Sequence, residues 1–244
     1  MNFRAAVLSD KGERSINEDF SNYIILKGYG CFVVADGLGG HASGEIASKI
    51  AVESFLKAFK SEIGISNNLM KSYFNKSQNE LIDYQVNHKD SESMRTTIAA
   101  VVTDYNDIIW GHIGDSRIYY FSKGKIITQT KDHSVPQALV NAGELSYQDV
   151  RFHEDRNKLL RVAGNKEDFR PVISEYIHIN KGDAILICTD GFWEYVTEGQ
   201  MEKEFFLSGS PKEWLTRMKQ YIILRSNDKN ELDNYTALAI WVEK

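Results

Sequence analysis

Short apolar runs bounded by polar turns recur along the chain, and such runs predict β-strands. The predicted strands are 3–9, 22–26, 31–35, 97–103, 107–113, 117–121, 125–130, 172–179, 184–189 and 235–242. The run 172–179 partly alternates between apolar and polar residues, which is typical of a sheet with one solvated face. The tight spacing from 97 to 130 predicts an antiparallel meander of hairpins.

Apolar residues at three- and four-residue spacing predict helices at 43–59 and 66–88, each with one apolar stripe. A later helix, 211–225, begins with Pro211 in its first turn, where the missing N–H costs little. The segment 131–165 is polar, helical at Val135–Ala142, and long enough to predict a functional flap. We expect one domain over residues 1–244, in which helices cover mostly antiparallel sheets.

Composition narrows the class of protein only slightly. With 42% hydrophobic residues, 26% charged residues and a net charge of −5, the chain is an ordinary globular one, and nonspecific nucleic-acid binding is disfavoured. Cys31 and Cys188 both lie inside apolar runs, which predicts reduced, buried side chains. Because the N-terminal residues lack a signal pattern and no run approaches the roughly 18 apolar residues of a membrane helix, we expect a soluble, intracellular protein.

Four short acidic segments stand at the ends of apolar runs. They are Asn17-Glu18-Asp19, Asp36-Gly37, Asp190-Gly191 and Asp233-Asn234. Strands buried in one sheet bring their ends to a common edge, so these carboxylates can gather there. Concentrated negative charge is tolerable beside a cation, and carboxylate oxygens are hard-metal ligands. The pattern therefore indicates a hard-metal site and phosphate chemistry.

Each acidic segment by itself is also explained by a turn. The run 36–42 formally satisfies the dinucleotide fingerprint G-x-G-x-x-A. Against nucleotide binding, Asp36 would repel a pyrophosphate, and no second strand follows at the expected distance. A carboxylate at this position can instead bridge two cations, and Gly37 lets its carbonyl approach a cation closely.

Two further polar residues have both a plain and a functional interpretation. Arg14, four residues before Glu18, is either an exposed loop arginine or a guanidinium that grips two phosphate oxygens. Asp115 lies either in a hairpin turn of the meander or at the same acidic edge. No histidine pair has zinc spacing, and neither G-x-S-x-G nor a cysteine nucleophile is present.

In chain order, seven stretches resemble the metal-dependent protein phosphatases of the type 2C family, bacterial branch, over nearly the whole chain. The stretches are 14–19, 36–44, 114–119, 131–134, 156–164, 188–191 and 233–236. The resemblance implies an α+β fold, namely a four-layer α-β-β-α sandwich of two mostly antiparallel sheets. It also implies a binuclear manganese or magnesium centre at one edge.

The resemblance assigns the two central metal ions to four residues. Asp36 would bridge the ions and the Gly37 carbonyl would bind one of them, while Asp190 and Asp233 would hold one ion. These assignments are carried over by position in the motifs.

Other positions would support this centre. Glu18 and Asp19 would hold the second ion partly through water, and Asp115 with Asp190 would bind a third, looser ion. Arg14 would hold the substrate phosphate, and the segment 131–165 would be the flap over the site.

The implied activity is hydrolysis of phosphoserine and phosphothreonine in proteins. A metal-bridging water would attack phosphorus in line, with the metals and Arg14 stabilising the equatorial oxygens. Implied partners are phosphoproteins, with a cognate serine/threonine kinase or its targets; we expect a cytoplasmic monomer that binds neither nucleic acid nor membrane. A pseudophosphatase acting as a binding module is the alternative, although loss of ligand carboxylates would mark it and they are present.

Three positions depart from the family pattern. Leu38 stands where many eukaryotic members have a histidine that is the candidate general acid, and His41 comes three residues later. Arg95 replaces the usual glycine before Thr96-Thr97, and His153 lacks the usual following proline. The proton donor to the leaving group is therefore unassigned.

Overall fold

The computed structural model describes residues 2–39, 43–226 and 232–243. Its strands are β1 Asn2–Asp10, β2 Asp19–Leu26, β3 Tyr29–Leu38, β4 Arg95–Thr96, β5 Ile98–Thr103, β6 Asp107–Ile113, β7 Arg117–Ser122, β8 Lys125–Gln129, β9 Val172–Ile173, β10 Ile177–His178, β11 Ala184–Cys188 and β12 Tyr235–Glu243. Its helices are α1 Ser43–Ser61, α2 Asn67–Asn87, α3 Val135–Ala142, α4 Asp190–Trp193, α5 Glu198–Leu207 and α6 Pro211–Ser226.

The strands form two antiparallel sheets. One has the order β1-β12-β11-β7-β8, and the other has β10-β6-β5-β3-β2, with β4 paired to β3 and β9 paired to β6. Helices α1 and α2 pack on the outer face of the second sheet, whereas α4, α5 and α6 pack on the outer face of the first. The predicted four-layer α-β-β-α sandwich is therefore confirmed.

Three apolar cores separate the four layers. The central core lies between the two sheets and contains Phe32, Val101, Ile118, Ile187 and Ile240, all at most 1% exposed. Strands such as β5 and β11 are buried on both faces, which explains why their sequences are continuous apolar runs rather than alternating ones. Cys31 and Cys188 are buried and unpaired, as predicted.

The predicted meander from 97 to 130 is wrong at its centre. Strands β5 and β6 pair in one sheet and β7 pairs with β8 in the other, so the chain changes sheets between Ile113 and Arg117. Gly114, with φ +102°, makes this crossing, and a Cβ there would lie 2.7 Å from the Cβ of Thr97. The crossing brings Asp115 to the edge where the two sheets meet.

The single strand predicted at 172–179 is also wrong. Two short strands, β9 and β10, both pair with β6, and the register between them shifts by one residue. At the break, the Ser174 hydroxyl accepts a hydrogen bond from the Trp110 N–H at 3.1 Å. A side chain therefore replaces one ladder bond and the strand is interrupted.

The helices at 43–59, 66–88 and 211–225 are confirmed within two residues at each end. Ser66 caps α2 by accepting a hydrogen bond from the Leu69 N–H at 3.1 Å. The helix α5 was not predicted, and it begins with a capping box between Thr197 and Gln200. Among the described helices, none is sufficiently long and apolar to cross a membrane.

Candidate active site

Of the eight residues predicted for the site, all but Asp19 line one cleft of about 290 Å³ at the edge where the sheets meet. These seven are Arg14, Glu18, Asp36, Gly37, Asp115, Asp190 and Asp233. Five other described residues also line the cleft, namely Asn234, Leu38, Gly39, Asn157 and Leu159. Antiparallel pairing places the start of β2 beside the end of β3 in one sheet and the start of β12 beside the end of β11 in the other. Packing of the two sheets then brings these two pairs of strand ends together.

Asp36 is fixed through its main chain. Strand β3 continues past Ala35 to Leu38, beyond the predicted end at 35. The Asp36 N–H donates to the Thr97 hydroxyl at 2.9 Å, and the Asp36 carbonyl accepts from Thr97 N–H and from the Thr96 hydroxyl, each at 2.8 Å. Both the N–H and the carbonyl of Asp36 are therefore hydrogen-bonded, and its carboxylate lines the cleft.

Asp19 lies opposite Asp36 in the β2–β3 register and is only 5% exposed. Its Oδ2 accepts a hydrogen bond from the Thr189 hydroxyl at 2.9 Å, while its Oδ1 is buried and has no hydrogen-bond partner among the described residues. Burial, with Asp190 and Asp233 nearby, raises the pKa of Asp19 to about 8 despite that hydrogen bond. A buried carboxylate oxygen without a partner is what a cation would stabilise.

The other acids are destabilised in the same way. Burial raises the pKa values of Asp36, Asp115 and Asp190, and repulsion from neighbouring carboxylates adds to it. Divalent cations would remove this repulsion, so the donor set fits Mg²⁺ or Mn²⁺.

The carboxylates line the cleft without closing on a single point. Within residues 2–39, 43–226 and 232–243, no group of three or more His, Cys, Asp or Glu side chains forms a ready-made metal cage. A hard cation in this cleft would therefore complete its shell with carbonyl oxygen, such as that of Gly37, and with water.

Two glycines form a tight cradle around Glu18. A Cβ on Gly44 would lie 2.5 Å from Glu18 Oε1 and 2.9 Å from the Gly37 carbonyl, and a Cβ on Gly37 would lie 2.0 Å from the Gly44 carbonyl. Burial, followed by repulsion from Asp233, raises the pKa of Glu18, whereas the Gly44 N–H donates to its carboxylate and opposes the shift. Only glycine fits at either position while Glu18 and the Gly37 carbonyl stay adjacent.

The phosphate-binding candidate, Arg14, pairs with an acid of the site. Its Nη2 donates to Asp233 Oδ2 at 3.0 Å, and both side chains are partly exposed to the cleft. Asn234 holds the loop that carries Arg14: its Nδ2 donates to the Lys11 and Ile16 carbonyls, and its Oδ1 accepts from the Glu18 N–H at 2.7 Å. Sequence patterns assigned no role to Asn234, because its contacts lie more than two hundred residues away.

The Asp115 turn is braced by helix α4 and by Thr97, which lies between β4 and β5. Its carbonyl accepts a hydrogen bond from the indole N–H of Trp193 at 3.0 Å, and the adjacent Ser116 hydroxyl bonds to that of Thr97 at 2.7 Å. Asp115 itself is 3% exposed. The acid is thus held rigidly at the cleft, as a ligand position requires.

The segment 131–165 supplies one wall of the cleft through Asn157 and Leu159. Arg156 Nε donates to Glu194 Oε1 at 2.7 Å, which ties this wall to the loop after α4. The sequence predicted a flap here but did not single out Asn157 or Leu159. Only the packing of the segment against the sheets identifies them.

The three departures have different outcomes. Leu38 lines the cleft, so the position of the eukaryotic histidine is apolar here, and His41 lies outside the described residues. Arg95 donates through Nη1 to the carbonyls of Glu92 and Met94, and it is not among the residues that line the cleft. His153 Nδ1 accepts from the Asp155 N–H at 3.1 Å and shapes its own turn.

A family model described as Protein phosphatase 2C matches residues 9–225, which is most of the chain. The chain belongs to the protein phosphatase 2C family. This membership confirms the resemblance drawn from the ordered motifs, and it makes the chain a serine/threonine protein phosphatase.

Relatives of this phosphatase include bacterial enzymes along most of its length. The serine/threonine phosphatase stp of Listeria innocua is 29% identical over 213 residues, covering 85% of this chain and 82% of the relative. The protein phosphatase PhpP of Streptococcus pneumoniae is 27% identical over 240 residues, covering 96% of both chains.

Solved structures of phosphatases share the fold closely. The serine/threonine phosphatase PstP/Ppp of Mycobacterium tuberculosis superposes with a TM-score of 0.87 at 27% identity, over 99% of both chains. The catalytic domain of PstP in complex with two manganese ions gives a TM-score of 0.84 at 26% identity, again over 99% of both chains.

Proposed function

We propose that this phosphatase hydrolyses phosphoserine and phosphothreonine esters at a binuclear centre in the described cleft. The observation that carries the proposal is the convergence of five carboxylates and one guanidinium on a single cleft. Burial, followed by repulsion between the carboxylates, raises the pKa values of Glu18, Asp36, Asp115 and Asp190, and bound cations would stabilise their ionised forms.

In this proposal the acids divide the ligand roles. Asp36 would bridge two ions, the Gly37 carbonyl would bind one of them, and Asp190 with Asp233 would hold one ion. When bound, two Mn²⁺ or Mg²⁺ ions supply Lewis acidity that makes water nucleophilic at neutral pH and neutralises phosphate charge. The PstP catalytic domain with two manganese ions supports this metal count.

The supporting acids complete the proposed centre. Glu18 and Asp19 would hold the second ion partly through water, and Asp115 with Asp190 would bind a third, looser ion. Asp19 is suited to that outer role because one of its oxygens accepts from Thr189 and the other is buried, with no partner among the described residues.

The chain's own residues bind and orient the substrate. Arg14 presents a planar guanidinium beside Asp233, where it can grip two oxygens of a phosphoryl group and keep the phosphorus in line with the nucleophile. Leu38 on the cleft wall donates no proton, so the leaving oxygen takes its proton from water rather than from a side chain at that position.

We also propose the biological setting. The partners are phosphoproteins, among them a serine/threonine kinase or its targets, and the enzyme acts as a monomer without nucleic acid. Two buried, unpaired cysteines support a reducing compartment such as the cytoplasm.

The test compares wild type with Asp36→Asn on a phosphothreonine peptide with added Mn²⁺, alongside Mn²⁺ binding by calorimetry. We expect wild type to release phosphate, and the variant to lose at least about a thousandfold in rate together with Mn²⁺ affinity. Asp107→Asn is the matched control, because Asp107 starts β6 at the opposite end from the cleft and pairs with exposed His178. An inactive, metal-loaded wild type or a fully active Asp36→Asn would refute the proposal.

A further inference from the structure

His133 lies shortly after β8, between the Asp115 turn and the cleft wall of the segment 131–165. Its backbone N–H donates to the Gly114 carbonyl at 2.9 Å, and its ring Nδ1 accepts from the Gly114 N–H at 3.2 Å. One residue therefore holds both peptide groups of the glycine that precedes Asp115. Gly114 has φ +102°, which glycine adopts without steric cost but with a large loss of backbone freedom, so these two hydrogen bonds help to fix the turn.

The same residue is bonded to the opposite wall. The His133 carbonyl accepts from the Leu160 N–H at 2.8 Å, and Ser134 forms an antiparallel bridge with Leu159. Leu159 lines the cleft, two residues after Asn157. His133 is therefore hydrogen-bonded both to the Asp115 turn and to the Leu159 wall.

The contacts of the His133 ring favour the neutral tautomer in which Nδ1 can accept a hydrogen bond. It stacks on His112 with ring centroids 4.6 Å apart and planes 5° from parallel. His112 Nε2 lies 2.8 Å from the Lys131 carbonyl, which can only accept, so that nitrogen carries the hydrogen. Burial, with His112 and Arg161 adding to it, lowers the pKa of His133 to about 3, so the ring is neutral at neutral pH. Because the Gly114 N–H points at Nδ1, that nitrogen is the acceptor and Nε2 carries the hydrogen.

We propose that His133 is a positioning residue that couples the Asp115 turn to the Leu159 wall and thereby sets the affinity of the cation site at Asp115. The cation part rests on the proposed function; the coupling part rests on the hydrogen bonds alone. His133 touches neither substrate nor metal in this arrangement, and it acts through Gly114.

The first experiment measures amide hydrogen exchange by mass spectrometry in the metal-free protein. We expect His133→Ala to accelerate exchange about tenfold in peptides covering 114–116, since the Gly114 N–H loses its acceptor. We expect a similar increase in 157–160, because the main chain of residue 133 that binds the Leu160 N–H is no longer anchored to the turn by a side chain. His133→Asn, whose Oδ1 can accept from the Gly114 N–H, is expected to restore most of the protection. His178→Ala removes an exposed histidine on β10 and is the matched control that should change neither region.

The second experiment tests the link to Asp115 by calorimetric Mn²⁺ titration. We expect His133→Ala to weaken the loosest Mn²⁺ site about tenfold in the wild-type background and to have no further effect in Asp115→Asn. Such non-additivity would show that His133 acts through Asp115, whereas a merely structural role would give additive losses.

Three results would overturn the proposal. These are faster exchange at 114–116 with 157–160 unchanged, equal losses in the Ala and Asn variants, and additive Mn²⁺ effects. If His133→Ala loses protection throughout the protein, His133→Asn is compared with wild type instead. Protection at 114–116 and 157–160 close to the wild-type level in His133→Asn supports the proposal, and its loss at only one of the two regions overturns it. Because exchange is measured without metal or substrate, the two proposals can fail separately. An inactive wild-type enzyme would refute the proposed function and leave the coupling intact. Unchanged exchange in His133→Ala would refute the coupling and leave the proposed function intact.

Discussion

Replacing Asp19 with asparagine is expected to stabilise the metal-free protein, and increasingly so as the pH rises. Burial, with repulsion from Asp190 and Asp233, raises the pKa of Asp19 from an ordinary 3.8 to about 8. An acid whose pKa is raised on folding makes its full contribution to the free energy of unfolding at pH values below its pKa in the unfolded chain. That contribution is lost as the pH rises through its pKa in the folded protein. The substituted asparagine has no such loss and can still accept from the Thr189 hydroxyl.

The size of the effect follows from the shift. Between pH 5 and pH 8 the wild type passes through about three pH units of this window, and each unit is worth about 1.36 kcal/mol. The stability advantage of Asp19→Asn should therefore grow by about 4 kcal/mol between these pH values. His112 and His133, whose pKa values are lowered, change stability with the opposite sign below about pH 6.5, but they are common to both proteins and cancel in the difference.

The assay is urea unfolding followed by tryptophan fluorescence, at pH 5 and pH 8, with a chelator present. A difference between the two proteins that stays constant with pH, or that favours wild type at pH 8, would refute the argument that Asp19 is a repelled, buried carboxylate. With saturating Mn²⁺ the order should reverse, because the cation stabilises the carboxylate that asparagine lacks.

Further predictions follow from other contacts. Gly44→Ala should keep the fold but lower Mn²⁺ affinity about 10–100-fold by calorimetry, because its Cβ would lie 2.5 Å from Glu18 Oε1. Arg117→Met should cost about 3–5 kcal/mol in urea unfolding, because it leaves the buried Asp132 without its partner at 2.7 Å. Asn234→Ala should raise KM for a phosphopeptide about tenfold and change kcat less, because the loop that carries the phosphate-binding guanidinium loses three hydrogen bonds. Steady-state kinetics check it, and a fall in kcat alone would contradict it.

Local pattern was sufficient for most of the fold. Burial against neighbouring elements determines the apolar pattern of each segment separately. It accounts for the apolar stripes of α1 and α2 and for the apolar runs of β3, β11 and β12. Helix α5 has only a weak apolar periodicity, since only Met201 and Glu204 of its ten residues are buried. Its pattern is accordingly too polar to predict.

Contacts between segments that are distant in sequence could not be predicted from the pattern of any one segment. Strands β6 and β7 are both apolar and close in sequence, so a hairpin and a crossing between sheets look alike until the partners of each strand are known. The same holds for Asn234 and His133, whose functional contacts depend on which loop or turn packs beside them.

The sequence by itself determined the family through seven motifs in order along the chain, and with the family came the two-sheet fold and the seven residues that share the cleft. The tertiary structure decided how these acids interact. It placed Asp19 opposite Asp36 with one oxygen unpartnered among the described residues, and it passed the chain through Gly114 so that Asp115 reaches the cleft from between the sheets. Electrostatic repulsion and hydrogen bonding depend on distances of a few ångströms, and only the packed fold sets those distances.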